Sequence, residues 1–362
     1  MFERYNPMED RLFQVMDEEG RIVAPDEHPG LSDDELLVAY KFMFFARTAD
    51  LMSVSYQRQG RLFTLPPNLG QEAIAAAAGK QMTEADWLVP AFREMGAWLM
   101  KGAKLRDIFM YWGGYEEGSR FSDAPRFLPS AVPIASQLQH GAGIAYAMKI
   151  KKDPGIVFAF VGDGGTSQGD FHEALNFAAV WKAPMIVVVQ NNQFAISVPV
   201  AKQTASVNLA VKALAYGIPG IKVDGNDYLA VYQAVREAKS HTALGLGPVL
   251  IEALTYRRGA HTTSDDPSLY RTEEEEKSWE LKDPLRRLRL YLGAKGLWRE
   301  DLDTALEEEY RLTVEQEFSF YENHAPYPLE DVFKYHFQEM PEHLRRQLAE
   351  QQRFQKWQEV NQ

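Results

Sequence analysis

From Leu36 onward the apolar positions of LLVAYKFMFFARTADLM recur every three or four residues, the period of one helical face. The helix start is marked by LSDDELL. Ser32 can cap it, and Asp33, Asp34 and Glu35 suit the positive end of its dipole. Residues 1–33 are polar, carry Pro25 and Pro29, and read as an N-terminal extension. The alanine-rich stretch EAIAAAAGKQM (72–82) predicts a tightly packed buried helix, and IASQLQHGAGIAYAMK (134–149) another whose small residues permit close packing. From about residue 130 short apolar runs alternate with helical stretches. IVFAFV (156–161), MIVVV (185–189), IKV (221–223) and PVLIEALTY (248–256) are strand-like, and DYLAVYQAVREAKS is one of the helices between them. Strands that are apolar almost throughout, separated by helices, predict an α/β fold with a mostly parallel sheet covered on both faces.

RRGAHTTSDDPSLYRTEEEE (257–276) interrupts this pattern with a polar, aperiodic stretch, expected to be a long mobile loop of functional character. SWELKDPLRRLRLYL and the rest of the chain read as surface helices. The expected organisation is an extension over 1–33, an α/β domain over 34–290 that includes the loop, and a C-terminal helical region over 291–362.

Composition narrows the function classes. The chain has 362 residues, 45% hydrophobic, and a net charge of −12, which argues against a nucleic-acid partner. It has no cysteine, so disulfides, thiolate metal sites and a cysteine nucleophile are excluded. MFERYNPMEDRLF has neither a secretory apolar core nor the arginines of a transit peptide, and the apolar runs are of strand length. A cytoplasmic, membrane-free protein is expected.

The chemistry concentrates in GDGGTSQGDFHEALNFAAVWKAPMIVVVQNN (162–192). In open α/β sheets ligands bind beyond the carboxyl ends of the strands, and GDGGTSQGD directly follows IVFAFV. Gly162, Gly164 and Gly165 let backbone amides approach a phosphate, with a helix start behind them. Asp163 is a hard oxygen ligand. Asn192 stands 192 − 163 = 29 residues on, one turn–helix–strand excursion later, and brings an amide oxygen to the same edge. Mg²⁺ is ordinarily held by a few protein oxygens together with phosphate oxygens. Each piece alone also reads as a glycine turn or a strand-end turn; the two together read as a metal–diphosphate clamp. A dinucleotide fingerprint fails at Ser167, where its third glycine belongs, and no Lys provides a Walker loop.

GDG followed some thirty residues later by NN, with GDGGTSQGDF, NFAAVWKAP, VVVQNNQFAISVPVAKQT, YQRQGRL, LGQEA, VDGNDYLAVY, LIEALTYR and SDDPSLYR, resembles the alpha subunit of the thiamine diphosphate-dependent decarboxylating component of 2-oxo acid dehydrogenase complexes. The resemblance runs from about Gln14 to the C-terminal region. It implies that the side chains of Asp163 and Asn192 and the carbonyl of Phe194 hold Mg²⁺, with Gly162, Gly164 and Gly165 along the diphosphate. It matches Arg93 and Arg257 to diphosphate arginines, His261 to a loop histidine that aids closure and acyl transfer, and the Ile134 carbonyl to the acceptor of the cofactor's exocyclic amine. The chain departs from the family pattern at Phe92, where Tyr is usual, and at Gln190, where some relatives carry Arg. The resemblance further implies decarboxylation of a small 2-oxo acid and transfer of the acyl group to the lipoyl domain of an acyltransferase component. It also implies an α₂β₂ assembly in which a separate beta subunit supplies the glutamate against the cofactor's pyrimidine ring. Pyruvate is favoured as substrate over branched-chain 2-oxo acids. A nicotinamide-dependent dehydrogenase and a non-catalytic scaffold subunit remain as readings from other classes.

Overall fold

Ser32 opens the first long helix as expected, and with a reciprocal bond besides. Glu35 N donates to Ser32 Oγ at 3.3 Å and Ser32 N donates to the Glu35 carboxylate at 2.9 Å, a capping box that satisfies two otherwise orphaned amides. The computed structural model describes residues 1–121, 124–130 and 132–361. Helix α1 spans Asp33–Arg58, α2 Glu72–Gln81, α3 Met95–Lys101, α4 Leu105–Trp112, α5 Ser136–Lys151 and α6 Gly169–Val180. They are followed by the single turn α7 (Val200–Gln203), α8 (Tyr228–Ala243), α9 (Glu273–Glu280), α10 (Pro284–Ala294) and α11 (Glu300–Glu322). The alanine-rich α2 is buried from Glu72 through Gly79, so its small side chains let α1, α3 and α8 pack close around it.

The strands are β1 (Trp87–Val89), β2 (Val157–Gly162), β3 (Met185–Asn191), β6 (Gly220–Asp224) and β7 (Val249–Leu254), with β4 (Phe194–Ala195) and β5 (Val198–Pro199) forming a small antiparallel pair. The main sheet has the order β1-β2-β3-β7-β6 and is parallel throughout. Side chains alternate between its faces, as the pleat requires. Phe158, Phe160, Ile186, Val188 and Ile251 join one core with α1, α2 and α8. Val157, Ala159, Val161, Val187 and Val189 join a second with α5 and α6. Both faces are therefore apolar, which is why the strands read as nearly continuous hydrophobic runs.

Three boundaries differ from the sequence reading. The N-terminal stretch is part of the main unit: Phe13 bridges Val223 in parallel beside β6, and Val15 N and Met16 N both donate to the buried Asp227 at 2.7 Å. The unit also runs past the expected boundary at 290, through Tyr321, because Leu306, Val314 and Phe318 of α11 are buried in the core that holds α1. The polar stretch expected as loop over 257–276 turns helical at Glu273, where Thr272 caps α9 and four glutamates fill its first turn. Glu322–Gln362 forms a second unit with α12 (Asp331–Lys334) and α13 (Glu342–Asn361). Within it Gln352 Nε2 donates to Glu330 at 2.8 Å. Among the described residues no helix is long and apolar enough to cross a membrane.

Candidate active site

The carboxyl ends of β1, β2, β3 and β7 open onto one cavity of about 250 Å³. After β1 come Phe92 and Arg93, and after β2 come Gly162, Asp163, Gly164 and Gly165. Asn192 and Phe194 follow β3, Arg257 and His261 follow β7, and Ile134 stands just ahead of α5; all of these line the cavity. Every site residue singled out from the sequence is thus brought to one place, from segments up to 261 − 92 = 169 residues apart.

The turn after β2 is shaped by its glycines. A Cβ on Gly165 would lie 2.3 Å from Val161 Cγ2, and one on Gly164 2.7 Å from Ala195 Cβ, so neither position accepts a side chain without displacing a strand end. Asp163 follows Gly162 into a 3-10 turn (Asp163–Ser167) and is almost wholly buried. Its carboxylate accepts only long bonds, from Asn192 N at 3.3 Å and Gln203 Nε2 at 3.4 Å. Burial pushes it up to about 6, so its ionised form calls for compensating positive charge.

The two asparagines at the end of β3 do different work. Asn191 is satisfied by protein: Nδ2 donates to Glu252 at 2.7 Å, and Oδ1 accepts from Gln193 N and Nε2 at 3.3 and 3.0 Å. Asn192 turns toward the cavity. Its side-chain oxygen lies 3.2 Å from Asp163 Oδ1 and 3.1 Å from the Phe194 carbonyl oxygen. Three oxygens so placed repel one another. Either the amide turns over and donates to both neighbours, or a cation sits among them. As placed, the amide nitrogen donates to Gln71 Oε1 at 3.3 Å and the oxygen accepts from Phe194 N at 3.4 Å; a carboxylate, an amide oxygen and a carbonyl are the donor types Mg²⁺ takes. Among the described residues no cluster of three His, Asp or Glu side chains offers another metal site. The Phe194 carbonyl also accepts from Arg257 Nη1 at 3.0 Å, which leaves it one lone pair.

Two buried guanidiniums meet over the cavity. Arg93 donates to the Pro67 carbonyl and, through Nη2, to the His261 carbonyl at 2.8 Å. Arg257 donates to the Ile196 carbonyl at 2.6 Å and to the Tyr270 hydroxyl at 2.9 Å, and its Nε is buried without a protein partner. The next residue, Arg258, points away to Asp283 at 3.0 Å. Burial, and then the repulsion of Arg257, pull Arg93 down to about 9. Such a pair suits an anionic ligand that neutralises both. His261 lies between them, its Nδ1 3.4 Å from Arg93 and 3.5 Å from Arg257. Burial and both arginines push it down to about 4. It is therefore neutral at pH 7, and because both neighbours only donate, Nδ1 is the acceptor and the proton sits on Nε2.

Several residues at the site escaped the sequence reading. Glu94 lines the cavity, is buried, and accepts from Arg93 N at 3.1 Å; burial holds its carboxyl up to about 8. In sequence, an acid beside an arginine reads as a surface pair. Gln137 spends Nε2 on the Phe160 carbonyl at 2.8 Å and leaves Oε1 buried and unpaired. Asp265 and Tyr270 fix the stretch after β7: His261 N donates to Asp265 at 2.8 Å and the Tyr270 hydroxyl to the same carboxylate at 2.5 Å. Their place in SDDPSLYR was the available signal.

A parallel sheet covered on both faces, with a glycine turn, a buried acid and paired arginines at its carboxyl edge, defines an α/β protein whose site suits an anionic ligand. The chain belongs to the dehydrogenase E1 component family, whose model matches residues 40–329; that family depends in general on thiamine diphosphate. It is 44% identical over 340 residues to a protein of Acholeplasma laidlawii, covering 93% of this chain and 99% of the relative. It is 39% identical to one of Mycoplasma genitalium (94% and 95% covered) and 40% to one of Staphylococcus aureus (93% and 91%). All three relatives are named pyruvate dehydrogenase E1 component subunit alpha.

Proposed function

We propose that this chain is the alpha subunit of a pyruvate dehydrogenase E1 component, an oxidoreductase that acts in the cytoplasm as an α₂β₂ assembly with a beta subunit. It binds thiamine diphosphate and Mg²⁺, decarboxylates pyruvate and passes the acetyl group to a lipoyl-bearing acyltransferase component. The observation that carries the reading is the convergence of the Asp163 carboxylate, the Asn192 side-chain amide and the Phe194 carbonyl at one edge of the cavity, beneath two buried arginines. The names of the relatives favour pyruvate over branched-chain acids.

Asp163, Asn192 and Phe194 would hold the metal, and Arg93 and Arg257 would neutralise the diphosphate. When bound, thiamine diphosphate supplies the electron sink that lets a 2-oxo acid lose carbon dioxide. The chain's share is orientation and exclusion of water. Ile134 and Phe92 give the cavity apolar wall, while Gly164 and Gly165 keep side chains out of the turn. His261, neutral, presents the proton on Nε2 as a donor at the mouth. Among the described residues, the carboxyls lining the cavity are Glu94 and Asp163, one held neutral by burial and the other facing the metal ligands. The glutamate that works against the pyrimidine ring comes from the beta subunit.

The test is calorimetric titration of thiamine diphosphate with Mg²⁺ into the chain co-expressed with its beta partner. Micromolar or tighter binding is expected, lost in Asp163→Ala. Turnover on pyruvate should exceed that on 3-methyl-2-oxobutanoate, and the chain without its partner should turn over neither. Absence of binding in the assembled protein would instead point to a non-catalytic scaffold subunit.

A further inference from the structure

The clamp has two halves on different segments, the Asp163 turn after β2 and the Asn192 turn after β3. Their separation decides whether three oxygens can share one ion. A third segment, the 3-10 helix Ala210–Tyr216, touches both.

At its start, Leu209 N and Ala210 N donate to Glu252 Oε2 at 2.7 and 2.9 Å. The other oxygen of that carboxylate accepts from Asn191 Nδ2 at 2.7 Å. Glu252 is a buried acid in the middle of β7, where an apolar residue would otherwise stand, and both its oxygens are used. Asn191 in turn holds Gln193, whose φ of 76° makes the bend that carries Asn192 and Phe194 into the cavity. One residue-turn further along the 3-10 helix, Lys212 Nζ donates to the carbonyl and the hydroxyl of Thr166, each at 2.8 Å. The Thr166 hydroxyl then donates to the Asp163 carbonyl at 2.8 Å. An unbroken series of bonds thus runs from Asn191 through Glu252, the 209–212 segment and Lys212 to Thr166 and Asp163. None of Glu252, Lys212 or Thr166 lines the cavity.

We propose that residues 209–212 are a brace that sets the spacing between the two halves of the clamp, with Glu252 and Lys212 as its fixed points. These are positioning residues. They act on the metal–diphosphate site through Asn191 and Thr166, and the proposal rests on the cofactor reading given above. An ordinary packing role would not need two opposite charges inside the protein, one spent on Asn191 beside Asn192 and the other on Thr166, which bonds the Asp163 carbonyl. Lys212 is half-buried and feels the charge of Glu252, so the brace is also internally compensated.

The experiment compares wild type, Lys212→Met, Lys212→Arg and Thr166→Val, each co-expressed with the beta partner. It records the dissociation constant for thiamine diphosphate, the Mg²⁺ concentration for half-saturation, turnover at saturating cofactor, and the unfolding midpoint. Removing a partner that orients a metal ligand costs roughly 10–100-fold in affinity. Lys212→Met and Thr166→Val should therefore each weaken binding and raise the Mg²⁺ requirement by that order, leaving turnover at saturation within about twofold. Lys212→Arg should recover most of the affinity. A fifth protein carrying both Lys212→Met and Thr166→Val should lose no more than the worse single one, since both cut the same series of bonds. Lowered unfolding midpoints with unchanged cofactor and Mg²⁺ affinity would overturn the brace and leave the cofactor site standing. Failure of the wild-type assembly to bind the cofactor would overturn both. If Lys212→Met does not fold, Thr166→Val, nearly identical in shape, decides the question alone.

Discussion

Asn191 and Asn192 are adjacent and chemically identical, yet one is consumed by protein and the other faces the cavity. Their spacing from Asp163 was legible because a helix and a strand separate the two motifs and return them to the same edge. That Asn192 is the one at the cavity was expected; the hold on Asn191 was not, because it depends on Glu252 arriving from β7. Phe92 lends itself to a direct test. It stands at the cavity beside His261, the rings 6.5 Å apart and perpendicular. Phe92→Tyr restores the hydroxyl usual in the family, and a hydrogen bond to a charged group is worth about 1.5 kcal/mol or more. Cofactor binding should tighten by roughly tenfold, read by the same calorimetry. Glu94 gives a pH signature. Its folded-state value is raised from the ordinary 4.5 to about 8, so the folded chain holds a proton that the unfolded chain has lost throughout that window. Its contribution is complete below the unfolded value and is lost as pH rises toward 8. Asp50, Asp163 and Asp227, each near 6, and His261, near 4 and about 6.5 when unfolded, act at lower pH. Between pH 6.5 and 8 the slope from Glu94 approaches about 1.4 kcal/mol per pH unit, and Glu94→Gln should flatten it in unfolding midpoints measured across that range.

At the scale of elements, periodicity was a good guide wherever an element was long. α1 and α8 and the strands β2, β3 and β7 lie within a few residues of where their patterns put them. β1 was missed. Its three residues, WLV, are too few to show a period, and they are strand only because Trp87 to Val89 lie in register with Val157 to Ala159. The β4–β5 pair, two residues a side, escaped for the same reason. The start of α1 was the most legible boundary, since its cap is a local interaction. Ser32→Ala removes the acceptor for Glu35 N and should cost about 1 kcal/mol, seen as a lower denaturant midpoint with unchanged slope.

Over the whole molecule, the least legible feature was the role of the N-terminal segment, whose polar composition concealed three buried anchors. Phe13, Val15 and Met16 are fully buried, and their partners lie more than 200 residues away. Phe13→Ala should destabilise the chain by roughly 3–5 kcal/mol, measured by denaturant unfolding, and light scattering should show self-association, because β6 would then present an open parallel edge.

That same contact sets a timetable. Phe13 N donates to the Lys222 carbonyl at 2.8 Å and Asp224 N donates back at 2.9 Å, so the Phe13 segment completes its pairing only after residue 224 has followed it from the ribosome. At roughly 5–20 residues per second, Phe13 waits on the order of 10–40 s with its ring in water. β3 waits as well, for β7 comes some sixty residues later in the chain. The nascent polypeptide therefore carries the unpaired Phe13 segment through 224 − 13 = 211 residues of synthesis and one open edge of β3 until β7 arrives, and expression should depend on holding chaperones more than the stability of the finished fold would suggest.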